Sequence, residues 1–208
     1  MRIIESILNF LFPTTCLFCK YGDKIVCESC FAKIPQNVQI RDSILSIYEY
    51  RNPQINKMLW KLKYHHTHDI AKLFGKVLTV ELSHMSGVWE NKNIYLIPIP
   101  LNSHDKRIYN HAELIANATK LNVTPNLLVK SSNKKQAHTK NKKERFENIK
   151  NSFSINRKIP EVEPKEECIY ILIDDVCTTG ATLQEAKETL IKSLNIPTQN
   201  IFAVVVAR

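Results

Sequence analysis

Apolar residues recur along this chain with two spacings, one typical of helices and the other of strands. Apolar positions three and four apart predict helices at 2–11, 53–63, 68–84, 105–120 and 181–194. Alternating or continuous apolar runs predict strands at 44–51, 94–98, 169–174 and 201–206. Because strands alternate with helices after residue 90, we expect an α/β fold with a parallel sheet. Trp60 and Trp89 are interpreted as packing residues.

Length and charge limit the domain size and the kind of partner but do not identify a function. The 208 residues, 44% of them hydrophobic, fit one domain of ordinary size with a small appendage. The formal net charge is +9, so an anionic partner is plausible. Most of the excess lies in 130–158, where ten Lys and Arg face two Glu for a net +8. We predict that 130–158 is a basic mobile segment.

The amino-terminal stretch is amphipathic but too short and too interrupted to span a membrane. No run of eighteen apolar residues exists, and the first residues lack the basic start, apolar core and cleavage site of a signal peptide. We expect the helix at 2–11 to pack on the chain's own body, with a peripheral membrane anchor as the alternative. The protein is interpreted as cytoplasmic, with any membrane contact at the inner face of the cytoplasmic membrane.

Four of the six cysteines form the pattern C-x2-C-x7-C-x2-C, and they are Cys16, Cys19, Cys27 and Cys30. Two C-x-x-C pairs can bring four thiolates to one metal in a closed tetrahedral site. Zn²⁺ is the best candidate, iron is an alternative metal, and two disulfides are disfavoured in a reducing compartment. We therefore predict a structural module at 1–35, which comprises the helix and the four cysteines, followed by a second domain at 36–208.

One stretch near the carboxyl terminus carries the clearest chemistry. Residues 169–183 read I-Y-I-L-I-D-D-V-C-T-T-G-A-T-L. Asp174 and Asp175 follow a buried strand, and their carboxylates can hold a ribose diol or an Mg²⁺-bound substrate. The hydroxyl-rich loop after them can cradle a phosphate, because the first N–H groups of a helix lack internal partners and its positive end favours anions. Gly180 lets the backbone turn and approach the ligand closely.

In order and spacing, this stretch resembles the phosphoribosyl-pyrophosphate (PRPP) motif of type I phosphoribosyltransferases. Together with the four cysteines, it resembles the ComF family of competence proteins. Further family motifs are L-K-Y at 62–64, P-I-P-L at 98–101 and R-I-Y-N-H-A-E-L-I-A at 107–116. Ile108 stands where the family has Gly, and His111 where it has Gln. The resemblance implies a type I phosphoribosyltransferase-like parallel sheet flanked by helices, with a small N-terminal zinc-finger module of four cysteines.

The resemblance also implies a PRPP site with Asp174 and Asp175 as its catalytic pair. The other PRPP-binding candidates are Val176, Cys177, Thr178, Thr179, Gly180, Ala181 and Thr182. The candidates for contact with pyrophosphate are Pro100, Leu101, Asn102, Ser103, Lys63 and Arg107. Mg²⁺ is expected with PRPP, since this ion prefers phosphate oxygens together with one or two carboxylates and waters.

The residues leave two functions open. One is an Mg²⁺-dependent phosphoribosyltransferase that joins PRPP to an unidentified nitrogenous acceptor. The other, which the family's role in natural transformation implies, is DNA uptake, with PRPP binding, single-stranded DNA binding and contacts to the uptake machinery. The candidate DNA-binding residues are Lys134, Lys135, Lys140, Lys142, Lys143 and Arg145.

Overall fold

The computed structural model describes residues 14–65, 67–85, 87, 89, 92–101, 109–130, 149–159 and 167–208. The helices are α1 (Glu28–Ala32), α2 (Pro53–Tyr64), α3 (His68–His84), α4 (His111–Ala118), α5 (Ala181–Leu194) and a 3₁₀ turn at Thr198–Asn200. The strands are β1 (Gln39–Arg41), β2 (Ile44–Tyr48), β3 (Asn93–Pro98), β4 (Asn122–Val123), β5 (Leu128–Lys130), β6 (Phe153–Ile155), β7 (Cys168–Val176) and β8 (Ile201–Ala207).

Six strands form one mostly parallel sheet in the order β1-β2-β8-β7-β3-β4. The pairs β2/β8, β8/β7, β7/β3 and β3/β4 are all parallel, and β1 pairs antiparallel with β2 at one edge. β5 and β6 form a separate antiparallel pair. The order confirms the predicted α/β class, in which helices flank a mostly parallel sheet.

The two faces of the sheet build two separate cores, because successive side chains of a strand point to opposite sides. On β7, Ile169, Ile171 and Ile173 pack in one buried cluster with residues of α2, α3 and α4. Tyr170 and Leu172 face the other cluster, which includes residues of α5, β5 and β6. A strand that is covered on both faces needs a continuous apolar run, and β7 and β8 have one.

The cysteine module packs against the first of these cores. Val26 and Ile34 are buried in the same cluster as α2 and α3, and Phe31 lies against it. The Phe31 ring centroid is 6.2 Å from that of Phe74 on α3 and 6.3 Å from that of Tyr48 on β2. The division of the chain between residues 35 and 36 stays a prediction. Loss of structure in the module would nevertheless expose part of the main core.

A very close helix contact lies between α3 and α4. A Cβ atom added to Gly75 would lie 2.5 Å from Cβ of Ala118 and 2.8 Å from its carbonyl carbon. Gly75 therefore sits where α4 leaves no room for any side chain.

We expect Gly75→Ala to destabilise the fold by about 1–3 kcal/mol, because overpacking must push α4 away from α3. For a chain of this size, that loss corresponds to a melting temperature lower by roughly 2–12 °C. Gly87→Ala is the matched control, since a Cβ there meets nothing within 4 Å. Equal melting temperatures for the two variants would contradict the close approach.

Some expected elements differ from those observed. The helix predicted at 105–120 begins only at His111, because the Asn110 side chain accepts hydrogen bonds from the backbone N–H groups of Ala112 and Glu113 and so caps the helix. Phe153–Ile155, within the segment predicted to be mobile, forms β6. The helix at 2–11 and residues 131–148 lie outside the described residues. Among the helices that the structure describes, none has the length and apolarity needed to cross a membrane.

Candidate functional site

The carboxyl ends of β7 and β3 border a cleft of about 170 Å³. Open parallel sheets bind their ligands outside the carboxyl ends of the strands. The cleft brings together predicted site residues from three distant segments of the chain. They are Lys63, Pro100, Leu101, Asp174, Asp175 and Thr182. Ile99, Asn110, His111, Ala112 and Lys130 complete the lining.

A short ion pair in the cleft joins α2 to β7. Nζ of Lys63 lies 2.7 Å from Oδ2 of Asp175, and the two side chains are 26% and 12% exposed. A charge pair this sheltered is screened less by water and salt than a surface pair. The backbone N–H of Asp175 donates a hydrogen bond of 2.8 Å to Oδ1 of Asp174, which fixes the first carboxylate beside the second.

The environment of the Asp174 carboxyl group favours its neutral form. Burial, and then the charge of Asp175, raises the pKa of Asp174 to about 8. Lys63 lies beside Asp175 and compensates the charge of that carboxylate. The Asp174 carboxyl therefore stays mostly protonated near neutral pH until a cation or hydroxyl ligand favours its charged form.

Asp174 should make stability depend on pH. Its pKa is near 4 in the unfolded chain and about 8 in the folded chain, so the folded state binds more protons across that window. The free energy of unfolding must then fall as pH rises from 4 to 8.

Asp174→Asn removes this titration and should stabilise the protein by about 1–2 kcal/mol at pH 8, a figure discounted for partial exposure. The gain should become small near pH 4, where Asp174 is neutral in the folded state and only about half ionised in the unfolded chain. Thermal melts across this pH range without added Mg²⁺ measure the difference. Asp69→Asn, on the exposed surface of α3, is the control, and a gain at pH 4 as large as that at pH 8 would contradict the assignment.

The loop after β7 presents backbone and hydroxyl groups at the start of α5. Gly180 precedes this helix with φ +80°, a left-handed conformation that residues with a Cβ adopt at a cost. The Ala181 N–H donates to Oγ1 of Thr179 at 3.4 Å. The Cys177 N–H donates to the Ala207 carbonyl at 2.9 Å and ties the loop to β8, while burial raises the pKa of the Cys177 thiol.

The second wall of the cleft comes from the segment after β3. Nδ2 of Asn110 donates to the Ile99 carbonyl at 2.9 Å, so the residue that caps α4 also holds the backbone just before Pro100 and Leu101. No role was predicted for Asn110 from the sequence. Its signal was an Asn three residues before Glu113, a spacing typical of a helix start. Asn102, Ser103 and Arg107 lie outside the described residues, as do all six candidate DNA-binding residues.

The four cysteines of the amino-terminal pattern cluster in space. Their Sγ atoms all lie within 4.8 Å of one another, and Sγ of Cys19 is 3.8 Å from Sγ of Cys27. Cys27 is the residue before α1 and Cys30 lies within it, so the helix brings these two thiols to the same side as Cys16 and Cys19. All six cysteines of the chain are described, and none forms a disulfide.

This cluster fits a tetrahedral metal. Zn–S bonds of about 2.3 Å place neighbouring sulfurs about 3.8 Å apart. Burial opposes ionisation of Cys16, but N–H donors from Cys27, Cys19 and Phe18 lower its pKa to about 6. Hydrogen bonding with the Cys27 thiol raises the pKa of Cys30 to about 12. The ionised form of Cys16 is thus favoured, whereas its neighbours disfavour ionisation of Cys30. A bound cation would stabilise all four thiolates, because metal ligation requires the deprotonated form.

The outer surface of α2 carries an exposed aromatic group, which we call the α2 aromatic surface: Trp60, Tyr64 and His65. Trp60 is 51% exposed and Tyr64 60%. The Trp60 ring centroid lies 5.6 Å from that of Tyr64 and 4.8 Å from that of His65. Nζ of Lys61 lies 6.0 Å from the Trp60 ring centroid. The interpretation of Trp60 as a packing residue is therefore wrong, whereas Trp89 is buried as expected.

Comparison with known proteins adds an independent finding. No model of a protein family matches the chain. Among curated proteins, the chain is similar to the Competence protein ComFC of Bacillus subtilis (strain 168), with 29% identity over an alignment 208 positions long, gaps included, that covers 85% of this chain and 82% of that protein. This similarity confirms the resemblance to the ComF family of competence proteins that the motifs predicted.

Proposed function

We propose that this chain is a competence protein whose cleft binds PRPP together with Mg²⁺. The observation that carries the proposal is the arrangement at the end of β7. A carboxyl pair, one member of which is ion-paired to Lys63 at 2.7 Å, directly precedes a hydroxyl-rich loop at a helix start. The similarity to a protein named Competence protein ComFC supports the biological role.

Each part of PRPP has a chemically suited partner in this site. Asp174 and Asp175 accept hydrogen bonds from the ribose hydroxyls. The backbone and hydroxyl groups of Thr178–Thr182 hold the 5′-phosphate at the positive end of α5. Lys63 and the backbone at Pro100 and Leu101 face the pyrophosphate, with Asn102, Ser103 and Arg107 as further candidates.

The carboxyl pair also suits a hard cation. Mg²⁺ bound with PRPP supplies charge neutralisation on the pyrophosphate oxygens. The two acids offer the one or two carboxylate ligands that this ion takes from proteins. The raised pKa of Asp174 means that a proton leaves as the cation arrives.

A thermal-shift measurement tests the proposed ligand. PRPP with Mg²⁺ at about 100 times its dissociation constant should stabilise the protein by about 2.7 kcal/mol, or roughly 5–11 °C. Ribose 5-phosphate lacks the pyrophosphate and should shift the melting temperature less. Equal shifts with both compounds, or none with PRPP, would count against PRPP as the ligand.

Turnover is a separate question from binding. As a transferase, the chain would release pyrophosphate from PRPP when a nitrogenous acceptor is present. The protein would contribute positioning and charge stabilisation, since this reaction asks little covalent chemistry of its residues. Pyrophosphate release with a panel of bases measures it, and tight PRPP binding without release would favour a binding protein.

The second candidate function is single-stranded DNA binding within DNA uptake in the cytoplasm, and the α2 aromatic surface favours it. Proteins that bind single strands combine cationic grooves with aromatic rings on which bases stack. α2 contains no Asp or Glu, and Lys57 and Lys61 lie next to Trp60 along its exposed side. The basic segment 130–158 would add phosphate contacts that weaken as salt rises.

Trp60→Ala should weaken binding of a single-stranded oligothymidylate by about 5- to 150-fold, because one stacked base contributes about 1–3 kcal/mol. Fluorescence anisotropy at fixed salt measures the affinity. Val80→Ala on α3 is the matched control, since Val80 is also 51% exposed. An unchanged affinity in Trp60→Ala would remove this surface from the DNA-binding hypothesis.

A further inference from the structure

A second and larger cavity, of about 580 Å³, borders the loop proposed to hold the 5′-phosphate (Thr178–Thr182, called the phosphate loop below) on the side away from the cleft. It opens at the carboxyl ends of β2 and β8, whereas the ribose-phosphate cleft lies toward β3. The two lining sets share no residue, but Thr178 of the phosphate loop and Cys177 just before it border the larger cavity. Its volume is typical of small-molecule sites, and its position follows the rule for open parallel sheets.

The lining of this cavity is strongly cationic. Arg41, Arg51 and Arg208 contribute three guanidinium groups, against the single carboxylate of Glu49. Oε1 of Glu49 accepts a hydrogen bond of 2.6 Å from Asn37. Three positive charges around one concavity repel one another, and an anion bound between them removes that repulsion.

The arginines differ in how firmly they are held. The Arg208 guanidinium donates to the Arg41 carbonyl at 3.2 Å and lies 3.4 Å from Oδ2 of Asp42. In the part of the chain that the structure describes, no carboxylate pairs with Arg41 or Arg51. Arg208 is thus fixed by the β1–β2 turn, while the guanidinium groups of Arg41 and Arg51 can bind a ligand. The paired N–H groups of a guanidinium match two oxygens of a carboxylate or phosphate in a bidentate pair.

The remaining lining suits a flat, polar ring. Tyr50 is 41% exposed at the cavity and offers an aromatic face. Gln39 on β1 adds a side-chain amide that can pair with ring nitrogens and carbonyls, and the hydroxyl of its neighbour Ser46 on β2, which donates to the Gln39 carbonyl at 3.5 Å, can still accept a hydrogen bond. A nitrogen heterocycle with an attached oxyanion matches both halves of this lining.

We propose that this cavity binds the acceptor of phosphoribosyl transfer, and that the acceptor is a nitrogen heterocycle bearing a carboxylate. The inference rests on the proposed function, because PRPP is the other substrate. The ring nitrogen donates its lone pair to form the bond to C1 of the ribose. The bond from C1 to the pyrophosphate oxygen breaks, and its electrons leave with pyrophosphate. A proton on that nitrogen, where there is one, passes to solvent.

Calorimetric titrations without PRPP test the cavity alone. Orotate and nicotinate are the acidic probes, and uracil and nicotinamide are their neutral counterparts. At least one acid should bind about tenfold or more tightly than its neutral counterpart, because charge-assisted bonds to arginine are lost in the latter. Arg51→Gln should remove that preference, whereas Arg157→Gln, on an exposed turn, should leave it intact. If neither acid is preferred, or if Arg51→Gln keeps the preference, the proposal is overturned.

PRPP titrations of the same variants separate this inference from the proposed function. Arg51→Gln should bind PRPP as the wild type does. A matching loss of PRPP affinity would mean that the arginines serve the phosphate loop, and would overturn the acceptor assignment. If wild type binds the acid but not PRPP, the anion site stands while the transferase role falls. If it binds PRPP but no acid, the ribose-phosphate site stands without this acceptor class.

Discussion

Cys16→Ser is expected to release one metal ion per chain and to lower the melting temperature by roughly 10 °C or more. Cys16 is fully buried among the four clustered thiols. A serine hydroxyl is a poor ligand for a metal that selects thiolates. Loss of the metal removes what holds the module together, and Val26 and Ile34 then lose their place in the main core. Elemental analysis and thermal melts measure the two effects.

Cys168→Ala provides the control for this variant. Cys168 is also a buried cysteine, but it lies on β7 outside the cluster. It should cost some packing energy and keep the full metal content. Metal-free wild-type protein that melts like the metal-loaded form would contradict a structural metal at these cysteines.

The double variant Asp174→Asn/Asp175→Asn is expected to weaken PRPP binding by about 100-fold or more, as hydrogen bonds to charged groups contribute about 1.5–3 kcal/mol each. Asparagine preserves the side-chain size, and its amide oxygen can still accept a hydrogen bond from Lys63, whose side chain is 26% exposed, so the fold should persist. It leaves neither a ribose acceptor of full charge nor a carboxylate for Mg²⁺. Calorimetry measures the affinity, and circular dichroism checks the fold.

Asp69→Asn is again the control, since Asp69 is an exposed acid paired with Lys72 on α3. Its PRPP affinity should equal that of the wild type. Wild-type affinity in the double variant would exclude the carboxyl pair from the binding site and with it the proposed role of the β7 end.

The elements with strong local signals were predictable from the sequence. β7 and β8 are continuous apolar runs, and α3 and α5 match their predicted spans, because their periodic patterns extend over many residues. β1, β4 and β6 were not predicted, since strands of two or three residues carry too little pattern. The strand order was also beyond the sequence, because pairing joins segments that are distant in the chain, as when β8 inserts between β2 and β7.

In the candidate sites too, compact motifs were predictable, whereas contacts between distant segments were not. The loop at 174–182 and the four cysteines are compact motifs whose chemistry follows from spacing. The ion pair between Lys63 and Asp175 depends on how α2 packs against the sheet, so only the fold brings it out. The exposure of Trp60 could have been predicted, because Trp60 lies off the apolar face of α2. That buried face is formed by Ile55, Met58, Leu59 and Leu62. The arginine-lined cavity joins the β1–β2 hairpin to the last residue of the chain, which no local pattern reveals.

A calorimetric titration of the wild-type protein with PRPP, with and without Mg²⁺, tests the central claim most directly. We predict one PRPP bound per chain, with clearly higher affinity when Mg²⁺ is present. The titration should be run at pH 7 and again at pH 8.5, because ionisation of Asp174 above its pKa of about 8 should strengthen binding of the magnesium complex. No PRPP binding under any of these conditions would contradict the account of the β7 end as a ribose-phosphate site.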